Sequence, residues 1–127
     1  MTQRPLSPHL QIYRPMLSMT MSILHRITGL SLVLGITGLV CWLAAAAYSD
    51  AYFGLIQGFY DGWIGRIVLF GMSWVLLHHM LGGFRYLIWD TGHGFELNRV
   101  EWMVRANIIG SIVLTLALWA IAFRVRG

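Results

Sequence analysis

The sequence predicts an all-α membrane protein, three transmembrane helices forming part of a heteromeric helical bundle. Of its 127 residues 57% are hydrophobic and only 11% are charged, where ordinary soluble domains carry roughly 25% charged residues. Mean hydropathy is +0.67. Three stretches are also long enough, at about 1.5 Å per helical residue, to cross a bilayer core that takes about 20 apolar residues.

The elements follow in chain order within a single membrane-anchor domain, residues 1–127. The opening MTQRPLSPHLQIYRPMLSMT, residues 1–20, holds three prolines and two arginines and has no continuous apolar core. It reads as an ordered or partner-bound arm rather than a cleavable signal peptide. A first helix is expected over residues 21–49, charge-free from Ile27 to Ser49. The link DAYFGLIQGFYDGWIG, Asp50–Gly65, is aromatic and glycine-rich, as suits an interfacial turn or a short amphipathic piece. A second helix is expected over 64–89; from Ile67 to Phe84 only His78 and His79 interrupt its apolar run. The polar link DTGHGFELNRVEW, Asp90–Trp102, has glycines at 92 and 94 that stop a helix. A third helix is expected over 103–124, and no fourth run is long enough to span.

Charge and cysteine usage narrow the function classes. All nine basic residues are arginines, set against five acids for a net charge of +4. This excess fits orientation in a membrane and contact with anionic lipid; with no basic run or aromatic-interleaved basic patch, it does not fit nucleic acid. The lone Cys41 sits in an apolar run, where it can form neither an internal disulfide nor a cysteine-rich metal site. Arg4, Arg14, Arg26, Arg85, Arg99 and Arg105 fall on or beside the side shared by the arm and the 90–105 link, whereas Arg66, Arg124 and Arg126 fall opposite. For a bacterial inner membrane that bias predicts a cytoplasmic N-terminus.

The stretch HHMLGGFRYLIWD, residues 78–90, carries the chemistry. On a helix, His79, Gly83, Tyr86 and Asp90 fall along one stripe, and His78, Gly82, Arg85 and Trp89 along its neighbour. The two histidines therefore point in different directions. Asp90 lies about 16 Å beyond His79 along the axis, near the surface, with His79 toward mid-bilayer. An imidazole at that depth with a glycine one turn later suits the iron and flat face of a haem. It equally suits a packed histidine beside a close helix contact, and spacing alone leaves both open. Adjacent residues of one helix cannot take both axial positions of one iron. A second ligand would come from His25, His9, His93 or another chain, and His25, set just ahead of the charge-free run, is expected to be too shallow.

A second constellation is SILHRITG, residues 22–29, in which Ser22 and Arg26 share a helical face and His25 lies beside Arg26. A hydroxyl and a guanidinium near the surface end of a span can hold a polar ligand head whose tail stays in lipid. The same residues would also serve as a helix start, with Ser22 or Ser18 as cap and Arg26 reaching phosphates.

RPLSPHLQIYRPMLSMTMSILHRITG, residues 4–29, and HHMLGGFRYLIWDTGHG, residues 78–94, resemble the two signature regions of the cytochrome b membrane-anchor subunits of succinate dehydrogenase, the respiratory complex II. With three spans in a chain of this length, the resemblance covers nearly the whole sequence. It implies a haem b shared with a second small anchor subunit, which supplies the other axial ligand. The family's axial histidine matches His79, followed by Gly83 against the ring, while His78 matches a variable position. Ubiquinone binding is implied for Ser22 and Arg26, with Asp90 as a structural or proton-supplying residue nearby. The haem propionate region is implied for His25, Arg26, Arg85 and Tyr86. Tyr86 is a departure, because the family usually has a histidine there.

The resemblance further implies a complex with a flavoprotein subunit holding FAD and an iron–sulfur subunit, docked on the side of the arm and the 90–105 link. Electrons from succinate would pass from the iron–sulfur subunit to ubiquinone, linking the tricarboxylic acid cycle to the respiratory chain. Alone, the chain has neither a dinucleotide-binding glycine fingerprint nor the cysteines of an iron–sulfur cluster, so it is not expected to oxidise succinate. Two alternatives share these features: an anchor for a quinol:fumarate reductase, and a haem-free structural anchor. The expected location is a bacterial inner membrane, with the mitochondrial inner membrane as the alternative.

Overall fold

The apolar runs are helical from end to end in the computed structural model, which describes residues 5–126; Arg4 lies outside the described residues. After a short 3-10 turn at His9–Gln11 come α1 (Leu17–Tyr48), α2 (Asp50–Asp61), α3 (Trp63–Asp90) and α4 (Leu97–Arg126). Helices α1, α3 and α4 are long and apolar enough to cross a membrane, and no strand occurs among the described residues.

Two helices begin earlier than the hydropathy suggests. The extended residue ahead of α1 is Met16, so neither Ser18 nor Ser22 caps that helix. Helix α4 starts at Leu97 because Glu96, Arg99, Glu101 and Arg105 support an exposed polar turn. Arg99 pairs with Glu96 at 2.5 Å and Arg105 with Glu101 at 3.1 Å. Such i,i+3 and i,i+4 pairs stabilise a solvated helix modestly and leave no hydropathy signal.

The link after α1 is more regular than expected. Ser49 is extended and ends α1, and its Oγ accepts from the Ala51 N–H at 3.3 Å to cap α2, with Asp50 in the favourable first turn. Gly62 then breaks the helix in an extended conformation, and Gly65 packs against the backbone of Phe59 and Tyr60. After α3 the chain reverses through Gly92 and Gly94, whose φ values of 79° and 82° lie in the left-handed region that glycine tolerates. The Trp89 Nε1–H donates to the Gly94 carbonyl at 3.2 Å and ties the reversal to the helix.

Helix α3 is the centre of the bundle, packed against each of the other three. Against α1 it runs antiparallel: a Cβ on Gly35 would collide with Met72, one on Gly29 with the His79 ring, and one on Gly82 with the His25 ring. These glycines let the two backbones approach closely. Thr28, His78, Arg85, Asn107, Ser111 and Thr115 are all buried. Large apolar side chains such as Leu34, Ile67 and Ile121 instead cover the outside. This is the arrangement expected where lipid is the outer solvent and polar groups must find partners within the protein.

The α2–α3 corner gives a direct test. A Cβ on Gly65 would lie 2.6 Å from the Tyr60 Cα and 2.8 Å from the Phe59 carbonyl carbon, backbone that cannot swing away. Gly58 has nothing within 4 Å of its would-be Cβ. Gly65→Ala is expected to lower the melting temperature of the detergent-solubilised protein, and Gly58→Ala to leave it unchanged or raise it by removing a helix-interior glycine worth about 1 kcal/mol.

Candidate functional site

The two adjacent histidines are sent to opposite sides of α3. His78 is fully buried against α4: its Nδ1 lies 3.3 Å from Ser111 Oγ and its Nε2 3.5 Å from Asn107 Nδ2. The Ser111 hydroxyl already donates to the Ile108 carbonyl at 2.9 Å, so it accepts from the His78 N–H. The Asn107 amide is a donor toward the other ring nitrogen. With Trp74 against its ring at a centroid distance of 5.0 Å, His78 is a satisfied core residue with no nitrogen left for a ligand.

His79 faces α1. Its ring stacks on that of His25 with centroids 4.0 Å apart and planes 2° from parallel. Its Nδ1 lies 3.2 Å from the His25 carbonyl oxygen and 3.3 Å from Thr28 Oγ1. Its Nε2 has no hydrogen-bond partner among the described residues. The expectation that His25 is too shallow to meet His79 is corrected here: α1 starts at Leu17, so His25 lies more than two turns inside the helix and level with His79.

Around this pair the bundle holds polar atoms without partners. His25 Nδ1 and both Nε and Nη1 of Arg85 are buried and unpaired. Arg85 is only 4% exposed, with its guanidinium over the rings of Trp89 at 5.0 Å and Tyr86 at 5.4 Å. Tyr86 in turn lies beside the His25 ring at 5.0 Å. A buried guanidinium left without an anion is costly. One turn beyond His79, Gly83 has nothing within 4 Å of its would-be Cβ, so that helix surface is bare.

The other predicted site residues stand apart from this cluster. Ser22 is half-buried and Arg26 is exposed, and neither side chain bonds to another described residue. The α1–α3 register sets Ser22 opposite Arg85 and brings Asp90, exposed at the end of α3, opposite the first turn of α1. His93 is on the loop, within 2.8 Å of the Thr91 carbonyl, and the His9 side chain lies outside the described residues. Sequence reasoning missed Thr28, Asn107 and Ser111. A polar i,i+4,i+8 stripe of Asn107, Ser111 and Thr115 on α4 was the available signal for the last two.

Residues 1–122 match the family described as "Succinate dehydrogenase/Fumarate reductase transmembrane subunit". The chain belongs to this family. It is 42% identical over 120 residues to the succinate dehydrogenase cytochrome b556 subunit of Paracoccus denitrificans, covering 94% of this chain and 92% of that protein. The cytochrome b556 subunit of Rickettsia conorii is 38% identical over 117 residues, 92% of this chain and 91% of the relative. The cytochrome b560 subunit of Reclinomonas americana is 34% identical over 127 residues, 93% and 85% of the two chains. This family member is therefore a membrane subunit, and its buried polar residues come from α1, α3 and α4.

Because both nitrogens of His78 are engaged across the α3–α4 interface, His78→Ala strands Ser111 and Asn107 in the core. The expected result is a loss of about 2–4 kcal/mol, from a cavity plus unsatisfied polar groups, read as a lowered melting temperature in detergent. Ser111→Ala should cost less, about 1 kcal/mol.

Proposed function

We propose that the chain is the haem b- and ubiquinone-binding anchor of a succinate:ubiquinone oxidoreductase. In this reading it passes electrons from an iron–sulfur subunit to ubiquinone, and His79 Nε2 is a haem axial ligand. The observation that carries the reading is the cluster of unsatisfied polar atoms at His79, His25 and Arg85. Nε2 of His79 is a free lone-pair donor, and the unpaired Arg85 guanidinium and His25 Nδ1 suit acidic propionates. Gly83 leaves a bare strip of helix for a flat macrocycle.

Haem, when bound, supplies a one-electron redox centre. The residues of this chain hold and orient it: His79 through iron, Arg85 and His25 by charge and hydrogen bonds to propionates, with Arg26 and the Tyr86 hydroxyl as further donors. A second small anchor subunit would supply the other iron ligand, because His25 is stacked face to face on His79 and its in-plane lone pairs do not point at a metal between the two rings. The unsatisfied cluster favours this reading over a haem-free anchor. The relatives' names favour succinate oxidation over fumarate reduction, since those of Paracoccus, Rickettsia and Reclinomonas are all succinate dehydrogenase subunits.

Ubiquinone binds near the start of α1. Ser22 and Arg26, four residues apart on one face and without protein partners, donate to a quinone carbonyl oxygen, and the guanidinium stabilises the negative charge that develops there on reduction. Asp90, opposite the first turn of α1, supplies protons or holds waters that do. The flavoprotein and iron–sulfur subunits dock on this same side, over the arm and the loop between α3 and α4. The arginine distribution supports a bacterial inner membrane with this side cytoplasmic.

Two measurements test the assignments. Reduced-minus-oxidised spectra of the purified complex should lose the b-type bands in His79→Ala and retain them in His78→Ala; the opposite pattern would overturn the ligand assignment. For the quinone site, Ser22→Ala and Arg26→Leu should each lower kcat/KM for ubiquinone about 10- to 100-fold, the loss of one hydrogen bond to a developing charge. Succinate oxidation by a soluble dye that accepts electrons ahead of the membrane subunits should be unchanged in both variants.

A further inference from the structure

The contacts around His79 Nδ1 settle more than its position. Thr28 is 2% exposed, and its hydroxyl donates to the His25 carbonyl at 2.9 Å. With its proton committed there, Thr28 Oγ1 can only accept from the imidazole nitrogen 3.3 Å away. The His25 carbonyl, 3.2 Å from the same nitrogen, is also solely an acceptor. Two acceptors and no donor face Nδ1, so Nδ1 carries the proton and Nε2 the lone pair. The same turn of α1 fixes the plane of the ring. The His25 imidazole covers one face, and Gly29 leaves room for the edge, since a Cβ there would fall 2.9 Å from His79 Cε1.

We infer that Thr28, with the His25 carbonyl, is a positioning residue that sets the tautomer and ring plane of His79, so that Nε2 meets the iron as a neutral donor in one fixed orientation. The inference rests on the reading of His79 as the axial ligand and deepens it. In that reading the ITG of SILHRITG is a cradle for a histidine on another helix, separate from half-buried Ser22 and exposed Arg26. A hydrogen bond from the non-ligating nitrogen of a metal-bound histidine raises the basicity of the ligand and orients its ring. Losing it moves the spectroscopic and redox properties of the metal, which packing alone would leave in place.

The experiment uses the assembled complex carrying Thr28→Val, nearly isosteric but without the hydroxyl, and Thr28→Ser, which keeps it. Three properties are read: the electron paramagnetic resonance g values of the oxidised low-spin haem, its midpoint potential, and the rate at which haem transfers to excess apomyoglobin. Thr28→Val is expected to retain haem, shift the g values and the midpoint, and release haem about tenfold faster; Thr28→Ser is expected to behave as the parent.

Parental g values and midpoint in Thr28→Val overturn the inference. Equal shifts in both variants also overturn it, because the side-chain shape and not the hydroxyl would then be responsible. If Thr28→Val fails to assemble, Thr28→Ala set against Thr28→Ser decides: shifted g values in the alanine variant with parental values in the serine variant support the role of the hydroxyl, and equal values in the two overturn it. His79→Ala run in parallel separates the two levels: b-type bands surviving in that variant defeat the axial assignment itself, whereas bands lost there with a parental Thr28→Val defeat only the role of Thr28.

Discussion

Within hydrocarbon a polar group has no water to fall back on, and that constraint organises this molecule around α3. The buried side chains of the described residues are mostly polar, from Thr28 through His78 and Arg85 to Asn107, Ser111 and Thr115, while the outward surface is aliphatic and aromatic. Several of these polar residues bond across helices and fix one against another. His78 fixes α4 through Ser111 and Asn107, His79 fixes α1 through Thr28 and the His25 carbonyl, and Trp119 Nε1 bonds Ser73 Oγ further along the α3–α4 seam at 3.3 Å. Helix association in lipid gains little from apolar contact, so these bonds and the glycines beneath them are what make the bundle specific.

The same constraint turns the unsatisfied atoms into information. Where the interior is satisfied, as at His78, the residue has a structural explanation complete in itself. Where it is not, at Arg85, at His25 Nδ1 and at Asn107 Oδ1, buried polar atoms have no partner among the described residues, and the first two lie on the His79 side of α3. The proposed haem and its second anchor subunit account for those two together. Arg85 is held over Trp89 and Tyr86 in a preorganised position, so its charge is kept in place ahead of any anion. Tyr86 lies tilted at 47° to the His25 ring, an aromatic contact on the same side of α3.

Helix ends and connections show how far local sequence carries. The glycines at 92 and 94 were legible as a stop because left-handed backbone favours glycine whatever surrounds it. The start of α4 was not, since exposed ion pairs such as Arg99–Glu96 extend a helix without altering hydropathy. The 50–65 link read as a turn or a short amphipathic piece; its capped helix depends on Ser49 serving both as the end of α1 and as the cap of α2.

The sequence by itself determined that this chain has three membrane-spanning helices, that the adjacent His78 and His79 diverge, and which family it resembles. Those properties follow from composition, from the helical period and from short motifs, all of them local. Only the tertiary structure decided which helix each histidine meets, that His25 reaches the level of His79, and that Thr28 takes part at all. Thr28 and His79 are 51 residues apart in the chain. The hydrogen bond between them exists only because the glycines at 29 and 82 let two antiparallel helices approach closely enough to form it.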